Sequence, residues 1–305
     1  MNDKQGSYAN PRIDRPGDVA NAHDGEVRAD PIKIIWVGSM MLIGTIGSAM
    51  TVSASAVNVF LISTIITLLF GHSLGMHRRF IHRAYECPLW LEHLFVHFGV
   101  LVGLAGPFGM LRTHDTRDWA QRQADCHDYF SHKSVWYRDL WWQLFCSIDL
   151  QNPPDIDIEP EIANDRVYRL MERTWMLQQL PWALLFFWIG GWSWVCWGIC
   201  SRVSISVFGH WLVGHFAHNT GGKDWHVSGA SVQGYNVPWS ALLTMGESWH
   251  NNHHAFPGSA RMGLESGQWD PGWWVLLSLE KLGIVSGLVT PDTIGPRPEL
   301  TAVRH

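Results

Sequence analysis

Polar and apolar positions fall into long blocks along the chain. No Asp, Glu, Lys or Arg occurs from Ile34 to His77, and from Thr174 to Gly222 the only one is Arg202. A helix needs roughly 20 apolar residues to cross a bilayer core, so each block has room for two crossings. Helices are the expected form, because they satisfy their own backbone polar groups. The first hairpin is predicted as Ile34–Val52, a turn at Ser53-Ala54-Ser55 and a return over Val57–Met76. The second is predicted as Gln178–Trp192, a turn around Gly190-Gly191 and a return over Val195–Phe216. Pro181 falls at the start of its helix, where a missing N–H costs least. Arg202 is expected near the far side of the second hairpin, snorkelling outward.

Between the hairpins, Pro88–Leu111 is apolar but interrupted by Glu92, His93, His97 and four glycines. It is expected in the interface or against other helices, since an odd crossing would separate the flanking polar segments. Stretches 161–175 and 271–284 have amphipathic helical patterns. The expected fold is all-α: a polytopic membrane protein with four transmembrane helices in two hairpins under a cytoplasmic helical cap. Its domains would be a disordered polar tail over 1–30, a membrane domain over 31–290 and a flexible tail over 291–305. Pro291, Pro296 and Pro298 lie in that last stretch, and the first has no apolar core of a signal peptide.

Charge sets the orientation. The segment His77–Arg173 carries eleven Lys and Arg, the chain up to Lys33 five, and the region after residue 222 five more. Positive loops stay cytoplasmic, so both termini and the central segment are expected on that side. Trp36, Trp175, Trp192, Trp194 and Trp211, among 19 tryptophans, fall near predicted span ends, as an interfacial aromatic belt requires. The net charge of −5, with no basic patch interleaved with aromatics, excludes nucleic acid as the partner. Five cysteines form no C-x-x-C pair, so neither a zinc cluster nor a disulfide framework is expected.

The candidate chemistry lies in the 17 histidines, most of which gather where the predicted spans reach the cytoplasmic side. His77 and His82 follow the second span, His114 opens a polar stretch with Asp115 and Asp118, and His215 and His218 end the fourth span. His250, His253 and His254 come later, after Glu247. At helical spacing, residues i, i+3 and i+4 share a face, so these three are expected to point the same way, as are His114 and Asp118. Imidazole is a good ligand for iron, copper and zinc. The set is too large for one ion, since structural zinc takes four ligands, so two ions are expected. Iron suits an all-imidazole set with open positions for oxygen chemistry. Asp115 and Glu247 are placed to accept the outer ring N–H groups.

At these residues the chain resembles the membrane fatty-acid desaturase family, particularly stearoyl-type Δ9 acyl desaturases. Gly246-Glu247-Ser248-Trp249-His250-Asn251-Asn252-His253-His254-Ala255-Phe256-Pro257 is similar to the family's third histidine box nearly letter for letter. The first box matches at His77 through His82, and the fourth-span pattern at Trp211, Val213 and His218, with span order agreeing from about residue 34 to 262. The second box departs: His114 matches, but Arg117 and Asp118 stand where two histidines belong. Gly214 replaces an asparagine that holds a metal-bound water in the family. The resemblance therefore implies His77, His82, His114, His218, His250, His253 and His254 as metal ligands, with Asp118 and His215 as replacements. His72, His127 and His132 are the alternatives.

The resemblance also implies O2-dependent desaturation of an acyl chain at a di-iron centre. The acyl group would be linked to CoA, acyl-carrier protein or a glycerolipid. No His-Pro-Gly-Gly haem motif is present, so a separate ferredoxin or cytochrome b5 would supply electrons. Membrane lipids surround such a protein. The changed second box keeps open a lipid or carotenoid hydroxylase or ketolase on the same scaffold. A membrane metal-binding or transport protein is a remoter reading, since a transporter places polar groups at mid-span.

Overall fold

The computed structural model describes residues 10–14 and 20–303. Expectations for residues 1–9, 15–19 and 304–305 lie outside the described residues. Three long apolar helical stretches dominate: Pro31–Met50, Ala54–Ile81 and Gln179–Asn219. Helix α1 (Pro31–Met50) begins on an Asp30 side chain that accepts from the amides of Ile32 and Lys33, the usual way to satisfy first-turn donors. It stops at Thr51, and Ser53 caps α2 (Ala54–Ile66). From Thr67 to Ile81 the same rod continues as a π-helix, so successive side chains turn by a smaller angle than in an α-helix.

The third stretch contains α9 (Gln179–Val195), a short π segment over Cys196–Ser201 and α10 (Arg202–Asn219). Gly191 breaks it with φ 63° and ψ −158°, a conformation that favours glycine, as the predicted turn at Gly190-Gly191 requires. Arg202 corrects an expectation. It is 1% exposed and does not snorkel. Its guanidinium donates to the carbonyls of Gly198 and Leu101 and to Oε1 of Gln179. It ties α10 to the start of α9 and to the turn after α3 (Leu89–Val100).

Helix α3 is 12 residues long, about 18 Å by helical rise, too short to cross a bilayer. It lies instead against the π-helix. A Cβ on Gly71 would sit 2.3 Å from the Phe98 carbonyl carbon, and one on Gly75 2.5 Å from that of Phe95. The two helices touch backbone to backbone because these positions lack side chains. The remaining helices are shorter than these stretches. They are α4 (Pro107–Arg122), α5 (Asp128–Ser131), α6 (Trp136–Phe145), α7 (Pro160–Ala163), α8 (Arg166–Arg173), α11 (His250–Ala255) and α12 (Pro271–Lys281). Helix α8 carries the predicted amphipathic pattern, burying Tyr168 and Met171, and α12 buries Leu276.

Three small antiparallel pairs qualify the all-α expectation. Strand β1 (Ile13–Asp14) pairs with β4 (Asp155–Ile156), β2 (Gly25–Ala29) with β3 (Cys146–Leu150), and β5 (Trp225–Val227) with β6 (Leu300–Ala302). Both polar ends were expected as loose tails, yet residues 25–29 and 300–302 are strands. The reason is long-range pairing, which local composition does not register. Arg12 adds a buried anchor, donating to Glu159 at 2.8 Å and to the Ile81 carbonyl at 2.8 Å. Trp36 donates to the Gly103 carbonyl and packs edge-on against Trp175 at 5.4 Å, so two predicted belt tryptophans meet.

Candidate metal centre

Four helices bring the histidines together. The π-helix carries His77, His82 caps its end, α4 carries His114, α10 ends with His218, and α11 consists largely of His250-Asn251-Asn252-His253-His254. Two imidazole groups result. His77, His82, His114 and His253 form one, and His218, His250 and His254 the other; within each, one ring nitrogen per residue lies within 4.8 Å of the rest. In the first, Nε2 of His82 and His114 are 3.3 Å apart. In the second, Nε2 of His250 lies 3.2 Å from that of His218 and 3.0 Å from that of His254.

The three α11 histidines do not all point one way, as the spacing predicted. At 100° per residue, positions 250 and 254 differ by about 40°, whereas 253 and 254 differ by about 100°. His250 and His254 therefore share one group, and His253 turns to the other. One short helix thus serves both.

The rings fit metal ions. Two ligand nitrogens at about 2.0–2.1 Å from an ion lie about 2.9–3.4 Å apart, which brackets the observed separations. Burial pushes His82, His250 and His253 well below the ordinary imidazole pKa and His254 down to about 4, so their lone pairs are free at neutral pH. The buried Nδ1 of His253 has no hydrogen-bond partner among the described residues.

Carboxylates hold the outer faces of two rings. Glu247 accepts from Nδ1 of His77 and from Ser73, each at 2.5 Å, and from Arg78 at 3.3 Å. Burial would raise its pKa, but His77 and Arg78 bring it below the usual carboxylate range. Arg78 also reaches Asp270 at 2.8 Å and the Ala260 carbonyl at 2.6 Å. Asp115, fully buried, lies 3.2 Å from Nδ1 of His114. Gln121 sits 3.0 Å from Nε2 of His218, with its amide held by the Phe130 carbonyl.

Asp118 and His215 are not brought into either group. Asp118 faces Arg122, whose Nε lies at 3.0 Å. Burial would raise its pKa, but that guanidinium holds it at about 2. His215 points its Nδ1 to Asp139 at 2.9 Å. Asp139 is a centre that the sequence did not signal. It also accepts from Trp211 at 2.8 Å and from His132 at 3.1 Å, and Nε2 of His132 accepts from Arg117 at 2.8 Å. Asp139, His132 and His215 form a third cluster of potential ligand atoms, but hydrogen bonds already close it. A lone acid in the aromatic run Trp136-Tyr137-Arg138-Asp139 was the one available hint. His127 caps α5 by accepting from the Tyr129 amide.

Both histidine groups open on one cavity of about 270 Å³. Its wall includes the apolar side chains of Trp36, Val37, Leu104, Leu144, Val207 and Trp211. Apolar walls beside clustered imidazoles suit oxygen chemistry on a hydrocarbon.

A helical membrane scaffold with paired histidine clusters defines the class. The family profile described as fatty acid desaturase matches residues 54–264. The chain belongs to the fatty acid desaturase family and is an oxidoreductase acting on fatty acids. It is 33% identical over 267 residues to an sn-1 stearoyl-lipid 9-desaturase of Anabaena variabilis, covering 85% of this chain and 96% of that protein. It is 34% identical over 246 residues to an sn-1 stearoyl-lipid 9-desaturase of Synechocystis sp., covering 78% and 73%. It is 28% identical over 223 residues to Delta-9 acyl-lipid desaturase 1 of Arabidopsis thaliana, covering 73% and 72%.

Proposed function

We propose that the chain is an O2-dependent Δ9-type desaturase of a glycerolipid-linked acyl chain. Two iron ions would be held by His77, His82, His114 and His253 and by His218, His250 and His254. The observation that carries this reading is the pair of imidazole groups, half-buried to buried, opening on one partly apolar cavity. The lipid linkage and bond position rest on the names of the relatives at 33% and 34% identity. When bound, the irons supply activation of oxygen by electrons from a ferredoxin or cytochrome b5 type donor. The chain's own residues do the rest. Glu247 and Asp115 fix the tautomers of His77 and His114, so that each presents Nε2 inward. The apolar wall holds the acyl chain and excludes water.

We infer four crossings, the third of them running from the uncharged residues at Thr174 to the break at Gly191, since the helix from Gln179 to that break is by itself no longer than α3. The break at Gly191 divides a 41-residue stretch that at about 1.5 Å per residue is twice the thickness of a hydrocarbon core. Ala54–Ile81, 28 residues long, exceeds the roughly 20 needed, and its surplus lifts His77 out of the bilayer. Both termini, the cap and the metal centre would then be cytoplasmic. Asp118, by this geometry, acts through Arg122, which approaches the His254 carbonyl at 3.5 Å, and His215 through Asp139. Expression in a host lacking its own desaturase, followed by mass spectrometry of intact lipids, tests the reading. A new double bond at carbon 9 of a glycerolipid is expected. An added hydroxyl or keto oxygen would instead establish a hydroxylase or ketolase, and no change in acyl composition would overturn the reading.

A further inference from the structure

Two histidines that line the cavity belong to neither group and make no hydrogen bond to a described residue. His72 lies five residues before His77 on the π-helix, and His210 eight before His218 on α10, about 12 Å toward the membrane by helical rise. Their rings meet edge to face with centroids 5.2 Å apart. Both line the cavity, together with the apolar Val207 and Trp211. Neither ring makes a hydrogen bond to any described residue, although His72 is half-buried and His210 exposed. Every other cavity histidine differs: it stands in a metal group or, like His132, is held by Asp139 and Arg117.

A wall built only for methylenes would not carry such a pair. A plain alkyl chain passing here strips water from two imidazoles and returns nothing, and an unsatisfied buried polar group is costly. An oxygen on the chain reverses the balance. A neutral imidazole offers one donor and one acceptor, so two rings can give a hydroxyl both a donor and an acceptor, or a carbonyl two donors. We propose that His72 and His210 form a subsite for an oxygen-bearing group, a hydroxyl or carbonyl, within the acyl chain, and so select substrates by functional group. The proposal rests on the acyl-binding reading of this cavity.

Binding by the purified, iron-loaded protein tests it, with stearic acid and its positional monohydroxy and keto isomers as probes and quenching of tryptophan fluorescence as the readout. At least one isomer is expected to bind about fivefold more tightly than stearic acid, the worth of one net hydrogen bond. The H72L/H210L double variant should lose that preference while binding stearic acid at least as well as the parent, which also shows that it is folded. The H72Q/H210Q variant, which keeps donors and acceptors, should retain part of the preference. The proposal is overturned if no isomer binds more tightly than stearic acid, or if the preference survives H72L/H210L. Failure of all the acids to bind, plain and substituted alike, would remove the acyl reading of the cavity and the proposal with it.

Discussion

Glu247→Gln isolates the carboxylate that holds the first histidine group from behind. The substitution keeps the shape but removes the charge from a group that accepts from His77, Ser73 and Arg78 at 2.5, 2.5 and 3.3 Å. Charge-assisted bonds of this kind are roughly twice as strong as neutral ones. An amide also has a single acceptor oxygen, so it cannot serve both His77 and Ser73 without turning an NH2 toward one of them. Loss of an outer partner of a metal-binding histidine typically costs 10- to 100-fold in metal affinity, or about 1.4–2.7 kcal/mol. Arg78 is not orphaned, because Asp270 and the Ala260 carbonyl remain. Asp270→Asn is the matched control. It strips the same buried guanidinium of a carboxylate without touching a histidine, so it should cost stability, about 3–5 kcal/mol as for other broken buried pairs, and leave metal affinity unchanged in whatever folds. The assay is iron per chain across a chelator series, paired with thermal unfolding in detergent. If Glu247→Gln held both irons at the parent's chelator midpoint, Glu247 would not be supporting His77 as a ligand.

Four further outcomes are expected. His250→Ala or His254→Ala should leave about one iron per chain, as should His82→Ala or His114→Ala; elemental analysis giving two irons for any of them would remove that residue from the ligand set. Asp118→Asn should keep both irons but lower stability by about 2 kcal/mol, the worth of moving a carboxyl from its usual 3.8 to about 2. Because that pKa is depressed in the folded state, the contribution is fully present above about pH 3.8 and fades as pH falls through about 2, so acid unfolding curves of parent and variant should converge there. Gly71→Leu should abolish the solubilised, monodisperse protein because backbone stands 2.3 Å from the new Cβ, whereas Gly38→Ala, with nothing within 4 Å, should be silent on size exclusion. Single cysteines at Lys133 and Glu265 should react with an impermeant label from the cytoplasmic side and one at Ser55 from the other; labelling of 133 and 265 from opposite faces would dismantle a shared metal centre.

The apolar blocks and the third histidine box could be read directly. A bilayer imposes one requirement, closed backbone hydrogen bonding over a set length, so the stretches at 34–77, with no charged residue, and 174–222, with only Arg202, announced the long helices without reference to their neighbours. The glycine pair at 190–191 marked the break because few other residues tolerate a positive φ. His250-x-x-His253-His254 announced metal chemistry because so dense a set of imidazoles has few other uses. What spacing alone could not say was which histidine joins which group. That depends on which helices face α11 on its two sides, and it divided a triplet that periodicity had kept together.

Tertiary packing decided everything that depends on partners distant in sequence. Arg202 looked like a snorkelling cation because its own segment offers no acceptor beyond backbone, yet Leu101 and Gln179 receive it in the interior. Asp118 looked like a ligand because it shares a helix face with His114, yet Arg122, one turn further along, takes its carboxylate. Asp139 carried almost no signal and became the acceptor for Trp211, His132 and His215. The polar ends at 25–29 and 300–302 became strands only because β3 and β5 offered them free edges. The sequence by itself determined the long apolar helices and the dense histidine sets that could hold metal, since both follow from local composition and local period. The tertiary structure alone decided how the histidines divide and which carboxylates hold them, because an ion pair or hydrogen bond across the fold is fixed by distance in space, which no local pattern encodes.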